Sequence, residues 1–264
     1  MTSRSLDKRG LVVIITGASS GIGRSLALGW AKRGACVVLS ARDEVALAAV
    51  KREVEAAGGE ALSEPGDVTD PAVRVRLIER VRRERGRIDV LVNNAGRGYY
   101  SATRDIDLAE LESLFALNVV APLHLTQLAL DDLARSAGTV VMVSSVAGVV
   151  AVAKMGAYAA TKFALEAIAM SLRAEVSELG VSVVVVRPGP VDTPFRANAF
   201  TRNTEAGVRV KNTKAQSPDD VAEQTIRAVE KHRAVVETSF FVRIASFGAR
   251  VVPRIFRVVS ARVT

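Results

Sequence analysis

Residues 11–23 read Leu11-Val12-Val13-Ile14-Ile15-Thr16-Gly17-Ala18-Ser19-Ser20-Gly21-Ile22-Gly23. The opening apolar run is rich in Val and Ile, the pattern of a strand buried on both faces. Glycines follow, and beyond them helical periodicity begins. In this strand-turn-helix context the glycines permit a tight turn and close backbone approach to a pyrophosphate. The helix N-terminus adds free N–H groups and the positive end of its dipole. Gly17, Ser19, Ser20, Gly21, Ile22 and Gly23 are therefore candidate dinucleotide-binding residues. The plainer alternative is an ordinary glycine-rich turn.

The same rhythm repeats along the chain. Apolar runs at 11–16, 36–40, 88–92, 139–144 and 181–187 read as parallel strands, with a weaker candidate at 61–64. Helical patterns near 22–33, 43–57, 71–85, 107–135 and 156–179 separate them. Regular alternation predicts an α/β fold: a Rossmann-type, doubly wound parallel sheet flanked by helices. No repeat or low-complexity linker divides the chain, so 1–264 reads as one domain. Residues 190–216 break the rhythm with Pro190, Pro194, two phenylalanines and several basic residues. So long an insertion after a strand suggests a substrate lid, or else a surface excursion.

With 264 residues, 49% hydrophobic and 24% charged, the chain can bury a full core. A single cysteine, Cys36, excludes a disulfide framework within the chain and reads as a small buried hydrophobe. The polar stretch 1–10 and the short apolar run after it do not make a signal peptide or a membrane span, so the expected compartment is the cytoplasm. The formal charge of +8 fits an arginine-rich surface; taken alone it would equally suit nucleic acid, a reading not adopted. His124 and His232 stand apart, with no metal-ligand spacing around either, and no metal site is expected.

Two further features carry chemistry. Tyr158 and Lys162 are four residues apart, one face of a helix, with Ser145 thirteen positions upstream. An ammonium beside a phenol lowers the tyrosine pKa and makes Tyr158 a candidate proton donor or acceptor. The second strand ends Leu39-Ser40-Ala41-Arg42, without the acidic residue that binds a free ribose 2′-hydroxyl. Arg42 suits a 2′-phosphate instead, which favours NADP(H) over NAD(H). Asp43 is available either for a ribose or as a helix cap.

With these residues in hand, the chain resembles the short-chain dehydrogenase/reductase family over about residues 10–193. The family's Thr-Gly-x-x-x-Gly-x-Gly stands at Thr16 to Gly23, its Asn-Asn-Ala-Gly at Asn93 to Gly96, and its Tyr-x-x-x-Lys at Tyr158 to Lys162. The Asp67-Val68 pair, Asn118, Ser145, and the Pro188-Gly189 turn with Val191 and Thr193 fall in the expected order. The resemblance implies that Tyr158 is the general acid/base. Lys162 would tune it and hold the nicotinamide ribose. Ser145, with Ser144 as competitor, would hydrogen-bond the carbonyl or alcohol oxygen. Asn118 would position a water that links Lys162 to solvent, or simply satisfy buried backbone groups. Asp67, Val68, Asn94, Ala95, Gly96, Pro188, Gly189, Val191 and Thr193 would line the cofactor site.

The Asn-Gly-Gly-like ending of many tetrameric members is missing, although 234–238 suits a last strand. The resemblance still implies a homo-oligomer, a dimer or a tetramer. Residues 239–264 form a basic amphipathic segment instead. Arg243, Arg250, Arg254 and Arg257 share a helical face set against Phe240, Ile244, Phe247, Val251, Ile255 and Val259, and Pro253 divides the helix. The apolar face is expected to cover the domain, a second subunit or an anionic membrane.

Together these readings predict an NADP(H)-dependent oxidoreductase that interconverts a carbonyl and a secondary alcohol on a largely hydrophobic small molecule. Tyr99, Tyr100, residues 146–152, Met155 and Phe195 are the expected pocket lining. Arg196, Arg202, Arg209 and Lys211 would greet an anionic substrate tail or form a solvated face. The alternative is an NADP(H)-binding sensor with little turnover.

Overall fold

The computed structural model of the protein describes residues 10–202 and 215–251. In chain order its elements are β1 (Val12–Thr16), α1 (Gly21–Ala31), β2 (Cys36–Ala41), α2 (Glu44–Ala56), β3 (Glu60–Pro65), α3 (Pro71–Arg85), β4 (Val90–Asn93), β5 (Tyr99–Ser101), α4 (Leu108–Phe115), α5 (Ala121–Ser136), β6 (Thr139–Val143), α6 (Gly156–Glu175), β7 (Ser182–Arg187), β8 (Phe200–Arg202), α7 (Pro218–Glu230), β9 (Val235–Glu237) and α8 (Phe240–Val251). Seven strands form one sheet in the order β3-β2-β1-β4-β6-β7-β9. Every pairing in it is parallel.

β1 shows why the sheet needs helices on both sides. Val13 and Ile15 enter one apolar cluster with Leu26 and Trp30 of α1, Leu47 and Val50 of α2, and Val221 and Ile226 of α7. Val12 and Ile14 enter another with Leu77 and Val81 of α3, Leu125 and Leu133 of α5, and Leu165 and Ala169 of α6. Successive strand residues point to opposite faces, so a run without polar residues must be covered twice. Each fully buried Ile or Leu contributes about 1.5–3 kcal/mol. Asp43, Asp70, Asp107 and Ser217 cap α2, α3, α4 and α7, each accepting a first-turn backbone N–H. Capping is thus the role the structure gives Asp43.

The weak strand candidate at 61–64 is a full six-residue strand at the sheet's edge. Its polar Glu64 is buried because Arg76 and Arg80 hold the carboxylate at 2.8 and 2.7 Å. The single helix expected at 107–135 is interrupted. Between α4 and α5 the backbone makes a π-helical turn over Ala116–Val120. Such a turn carries one more residue than an α turn, and side-chain periodicity does not reveal it.

β5 and β8 form a separate parallel pair that sequence patterning did not predict. Three residues are too few for alternation to show. The pair ties the stretch after β4 to the insertion, with the Tyr99 and Phe200 rings 5.0 Å apart. The insertion's described ends also meet at a bridge between Val191 and Gln216. Arg209 and Lys211 lie outside the described residues.

α8 shows which side of the C-terminal segment meets the domain. It packs on the domain through Val242, Ala245 and Ser246, all buried. Val242 sits over Gly189, where an added Cβ would come within 3.2 Å of it. Among the described side chains, smaller ones set this contact, and Phe240, Ile244, Phe247 and Val251 are exposed. Pro253, Arg254, Ile255, Arg257 and Val259 lie outside the described residues.

Candidate active site

The sheet order reverses direction between β1 and β4, so a crevice opens at the carboxyl ends of these strands. Thr16 and Asn94 lock its floor. Thr16 Oγ1 accepts from the Asn94 and Ala95 N–H groups at 3.1 and 3.0 Å. The Asn94 amide donates to the Thr16 and Gly17 carbonyls at 2.9 and 3.2 Å. The resemblance made Asn94 a cofactor contact; in the structure its amide pins the glycine turn to β4.

The turn itself is built from backbone. Gly17 and Gly21 adopt φ values of +65° and +52°, a region that favours glycine. Gly23 is fixed by space, since a Cβ there would lie 2.2 Å from the Gly17 carbonyl oxygen. Ser20 stands at the N-cap of α1 without a capping side-chain bond, and no acidic residue occupies the first turn. The first N–H groups of α1 thus face a cleft without competing side-chain acceptors, a cradle that fits a pyrophosphate.

That cleft has a volume of about 1530 Å³. Gly17, Ser19, Ser20, Gly21 and Ile22 line one end with Arg42, Asp67 and Val68. Asn94, Ala95, Gly96, Pro188, Gly189, Val191 and Thr193 continue the wall, and Ser145, Tyr158 and Lys162 lie at the other end. The cleft therefore brings together all the expected cofactor residues except Gly23, which is packed beneath the turn. Thr193 meets the turn directly, its Cγ2 2.9 Å from where a Gly21 Cβ would be.

At the reactive end, Ser145 begins the short 3₁₀ turn Val146–Gly148, and its hydroxyl accepts from the Ala147 N–H at 3.1 Å. Ser144, the competitor, also reaches the cleft wall, but its buried hydroxyl has no hydrogen-bond partner. Tyr158 and Lys162 lie on one face of α6, as their spacing requires. The expected lowering of the phenol pKa is not what the structure holds. Burial pushes the Tyr158 phenol up, against a hydrogen bond from Ser145, and the charge of Tyr100 raises it further. The Lys162 ammonium is not on the phenol oxygen. It donates to the Val143 carbonyl at 2.8 Å. Burial lowers its pKa to about 8, with the Glu166 charge opposing.

Asn118 sits in the π-helical turn. Its amide donates to the Arg97 carbonyl and to Thr161 Oγ1, both at 3.1 Å, and its Oδ1 accepts from the Arg97 N–H at 3.1 Å. The alternative reading, satisfaction of buried backbone groups, therefore describes the bonds that Asn118 makes.

Several residues of this end were not foreseen. Thr161 holds Asn118, the Val143 carbonyl holds Lys162, and Arg187 at the end of β7 forms a two-pronged pair with Glu166 at 2.9 and 2.8 Å. Glu166 lies four residues after Lys162, a helical spacing that was visible in the sequence. Of the expected pocket lining, Tyr100, Val146, Ala147, Val150, Val152, Met155 and Phe195 face the cleft. Tyr99 does not; it is fully buried with Leu114 and Tyr158, and its hydroxyl accepts from the Asp107 N–H at 2.8 Å. At the outer rim, Arg42 is 78% exposed and 3.9 Å from Asp67.

Comparison with known proteins agrees with this arrangement. The family model described as short chain dehydrogenase matches residues 11–204. An uncharacterized oxidoreductase of Staphylococcus saprophyticus is 34% identical over 223 residues, 83% of this chain and 91% of that protein. A short-chain dehydrogenase from Streptomyces avermitilis superposes with a TM-score of 0.85 at 30% identity, covering 97% of this chain and 95% of that one. A short-chain dehydrogenase from Sphingobium yanoikuyae in complex with NADPH gives a TM-score of 0.80 at 28% identity, covering 96% of both chains. A glycine cradle at the sheet's switch point, and a tyrosine, lysine and serine at the far end of the same cleft, belong to a chain that is a member of the short-chain dehydrogenase/reductase family of oxidoreductases.

Proposed function

We propose that the protein is an NADP(H)-dependent reductase or dehydrogenase that interconverts a carbonyl and a secondary alcohol on a hydrophobic small molecule. The observation that carries this reading is the single cleft shared by the glycine turn and by Ser145, Tyr158 and Lys162. A binding module would have no use for a buried phenol and ammonium at the end of such a cleft.

Gly17, Ser19, Ser20, Gly21 and Ile22 would hold the pyrophosphate, with Asp67, Val68, Ala95 and Gly96 around the adenine half. Pro188, Gly189, Val191 and Thr193 would flank the nicotinamide. When bound, NADPH supplies the hydride. The Ser145 hydroxyl and the Tyr158 phenol act on the substrate oxygen, donating to it as negative charge builds there. Tyr158 then gives its proton, or takes one when an alcohol is oxidised. Burial keeps the phenol protonated at neutral pH, which suits it to donate. Lys162 would hold the ribose and, as a cation, would favour the phenolate. Asn118 holds the backbone at Arg97 and so fixes the wall beside Gly96.

The preference for NADP(H) rests on Arg42. β2 ends without a free acid, because Asp43 accepts from the Ala46 N–H at 2.9 Å as the cap of α2. Arg42 is exposed at the rim, where it can turn from Asp67 to a 2′-phosphate. The crystallised NADPH complex of the 28% identical neighbour supports the same assignment. The substrate end is apolar, walled by Val146, Val150, Val152, Met155 and Phe195. The insertion at 190–216, tied at its neck and by β8, would act as the lid.

The test is oxidation of NADPH with a panel of aromatic and aliphatic ketones, followed at the nicotinamide absorbance. Turnover with at least one hydrophobic ketone is expected. Tight cofactor binding without turnover on any member of the panel would overturn the reading in favour of a sensor.

A further inference from the structure

A helix on a protein surface normally turns its large apolar residues inward. α8 does the reverse. Val242, Ala245 and Ser246 face the domain, while Phe240, Ile244, Phe247 and Val251 are 75, 54, 66 and 59% exposed. Their spacing of four, three and four places them in one narrow stripe along the helix, turned from the domain except where Ile244 borders the cleft. Scattered exposed apolar residues need no explanation, but an ordered stripe of four does.

The charge of this part of the chain is one-sided. After Glu237 the sequence contains no acidic residue, and it carries Arg243, Arg250, Arg254, Arg257 and Arg262. Arg243 is exposed on α8 itself. We propose that α8 docks on an anionic phospholipid surface, sinking Phe240, Ile244, Phe247 and Val251 among the acyl chains while the arginines meet the headgroups.

A second copy of the chain fits the stripe less well. A two-fold contact sets the same patch against itself, so one helix carrying the exposed Arg243 would meet another with no acidic residue on it to pair with. One face of a twelve-residue helix also buries far less than the roughly 1,000 Å² of a specific protein interface. The helix is anchored for a surface role: Gln216 and Gln224 both donate to the Thr238 carbonyl just before it, at 2.6 and 3.1 Å. Ile244 and Ala245 line the cleft as well, so docking would set the cleft's mouth against the lipid. A hydrophobic molecule would then pass from bilayer to cleft with little exposure to water. That corollary rests on the function proposed above; the docking itself does not.

The experiment is vesicle flotation of the full chain with pure phosphatidylcholine and with phosphatidylcholine containing phosphatidylserine, read by immunoblot rather than by activity. The protein is expected to float with the anionic vesicles only, and to be released by raised salt. Phe240→Glu with Phe247→Glu should lower recovery roughly tenfold, because it puts charge where acyl chains would sit. Both side chains are exposed and outside the cleft, so the circular dichroism and thermal midpoint should hold. Arg243→Gln, a milder change, should lower recovery and its salt dependence. No flotation of the parent protein, equal flotation on both vesicle types, or full recovery of both variants would each overturn the proposal. So would sedimentation showing a dimer that the double variant splits, since the stripe would then belong to a second copy.

Discussion

The Lys162 ammonium lies 5.8 Å from the centre of the Tyr158 ring, although the two side chains share one face of α6. Its hydrogen bond goes to the Val143 carbonyl, the last residue of β6. The lysine thus ties the helix to the sheet edge that also presents Ser145. Burial works against ionisation of both groups.

Tyr158→Phe removes the phenolic proton and keeps the ring that packs 5.8 Å from Phe195. A fall in kcat of roughly 10²–10⁴-fold is expected, with cofactor affinity nearly unchanged. Steady-state kinetics with fluorescence titration of NADPH check this. Turnover close to the parent's in the folded variant would remove Tyr158 from the acid role.

Arg42→Ala is expected to narrow the gap in kcat/KM between NADPH and NADH. A charge-assisted contact to a phosphate is worth about 1.5–3 kcal/mol, or roughly ten- to a hundredfold. Arg42 is mostly exposed, so the lower end is the better expectation. Equal use of both cofactors by the unmutated enzyme would make Arg42 a bystander.

Lys162 predicts a pH dependence of stability. Its pKa of about 8 in the fold lies below the ordinary 10.5. Below pH 8 the fold bears the cost of a buried ammonium, about 3 kcal/mol at most. As pH rises from 8 towards 10 the folded state sheds that proton before the unfolded chain does, so this contribution turns in favour of folding. Denaturant unfolding at pH 7, 8 and 9 should therefore show stability rising for the parent relative to Lys162→Met. A constant difference across the three would show that the lysine is not desolvated. The raised Cys36 thiol works in the opposite sense as pH approaches 9, where the unfolded chain's thiol ionises first, but it does so equally in parent and variant and cancels in their difference; Tyr158 acts only higher.

Glu166→Ala should cost roughly 3–5 kcal/mol, because it strands the buried Arg187 guanidinium. Glu166→Leu with Arg187→Met should cost much less. Glu237, the other partner of Arg187 at 3.2 Å, is partly exposed and can be hydrated instead. Chemical denaturation of the three proteins separates these outcomes. If the single and double variants are equally destabilised, the cost lies in packing rather than in the unpaired charge.

The fold was legible because its signals are local and redundant. Every main strand that is buried on both faces appeared as an apolar run, and the cradle was written in glycines at fixed spacing. β3 was nearly missed because Glu64 is polar, and its burial depends on Arg76 and Arg80, which lie a helix away. β5 and β8 pair across about a hundred residues, a relation that no local pattern records. At the site, Tyr158, Lys162 and Ser145 were legible as positions. Their electrostatics were not, since the spacing that puts a lysine beside a tyrosine says nothing about the Val143 carbonyl that accepts its hydrogen bond. The apolar stripe of α8 was legible, but a sequence shows that a helix has two faces and not which one meets the domain, here the side of Val242, Ala245 and Ser246.

The π-helical turn at Ala116–Val120 takes up one residue in the long run from Leu108 to Ser136 and leaves that run asymmetric in its tolerance of changes in length. The turn joins two halves with different obligations. Leu114 on one side is buried against Tyr99, and Leu125, Ala129 and Leu133 on the other fill the sheet's face. Deleting Leu117 would let the whole run wind as a plain α-helix with its two halves close to their present phase. One more residue, which a turn already widened cannot take up, would turn one half about 100° relative to the other. Either Leu114 would then swing to solvent or the three core residues of α5 would leave the sheet, so an insertion here re-aims the faces of a whole helix where a deletion does not.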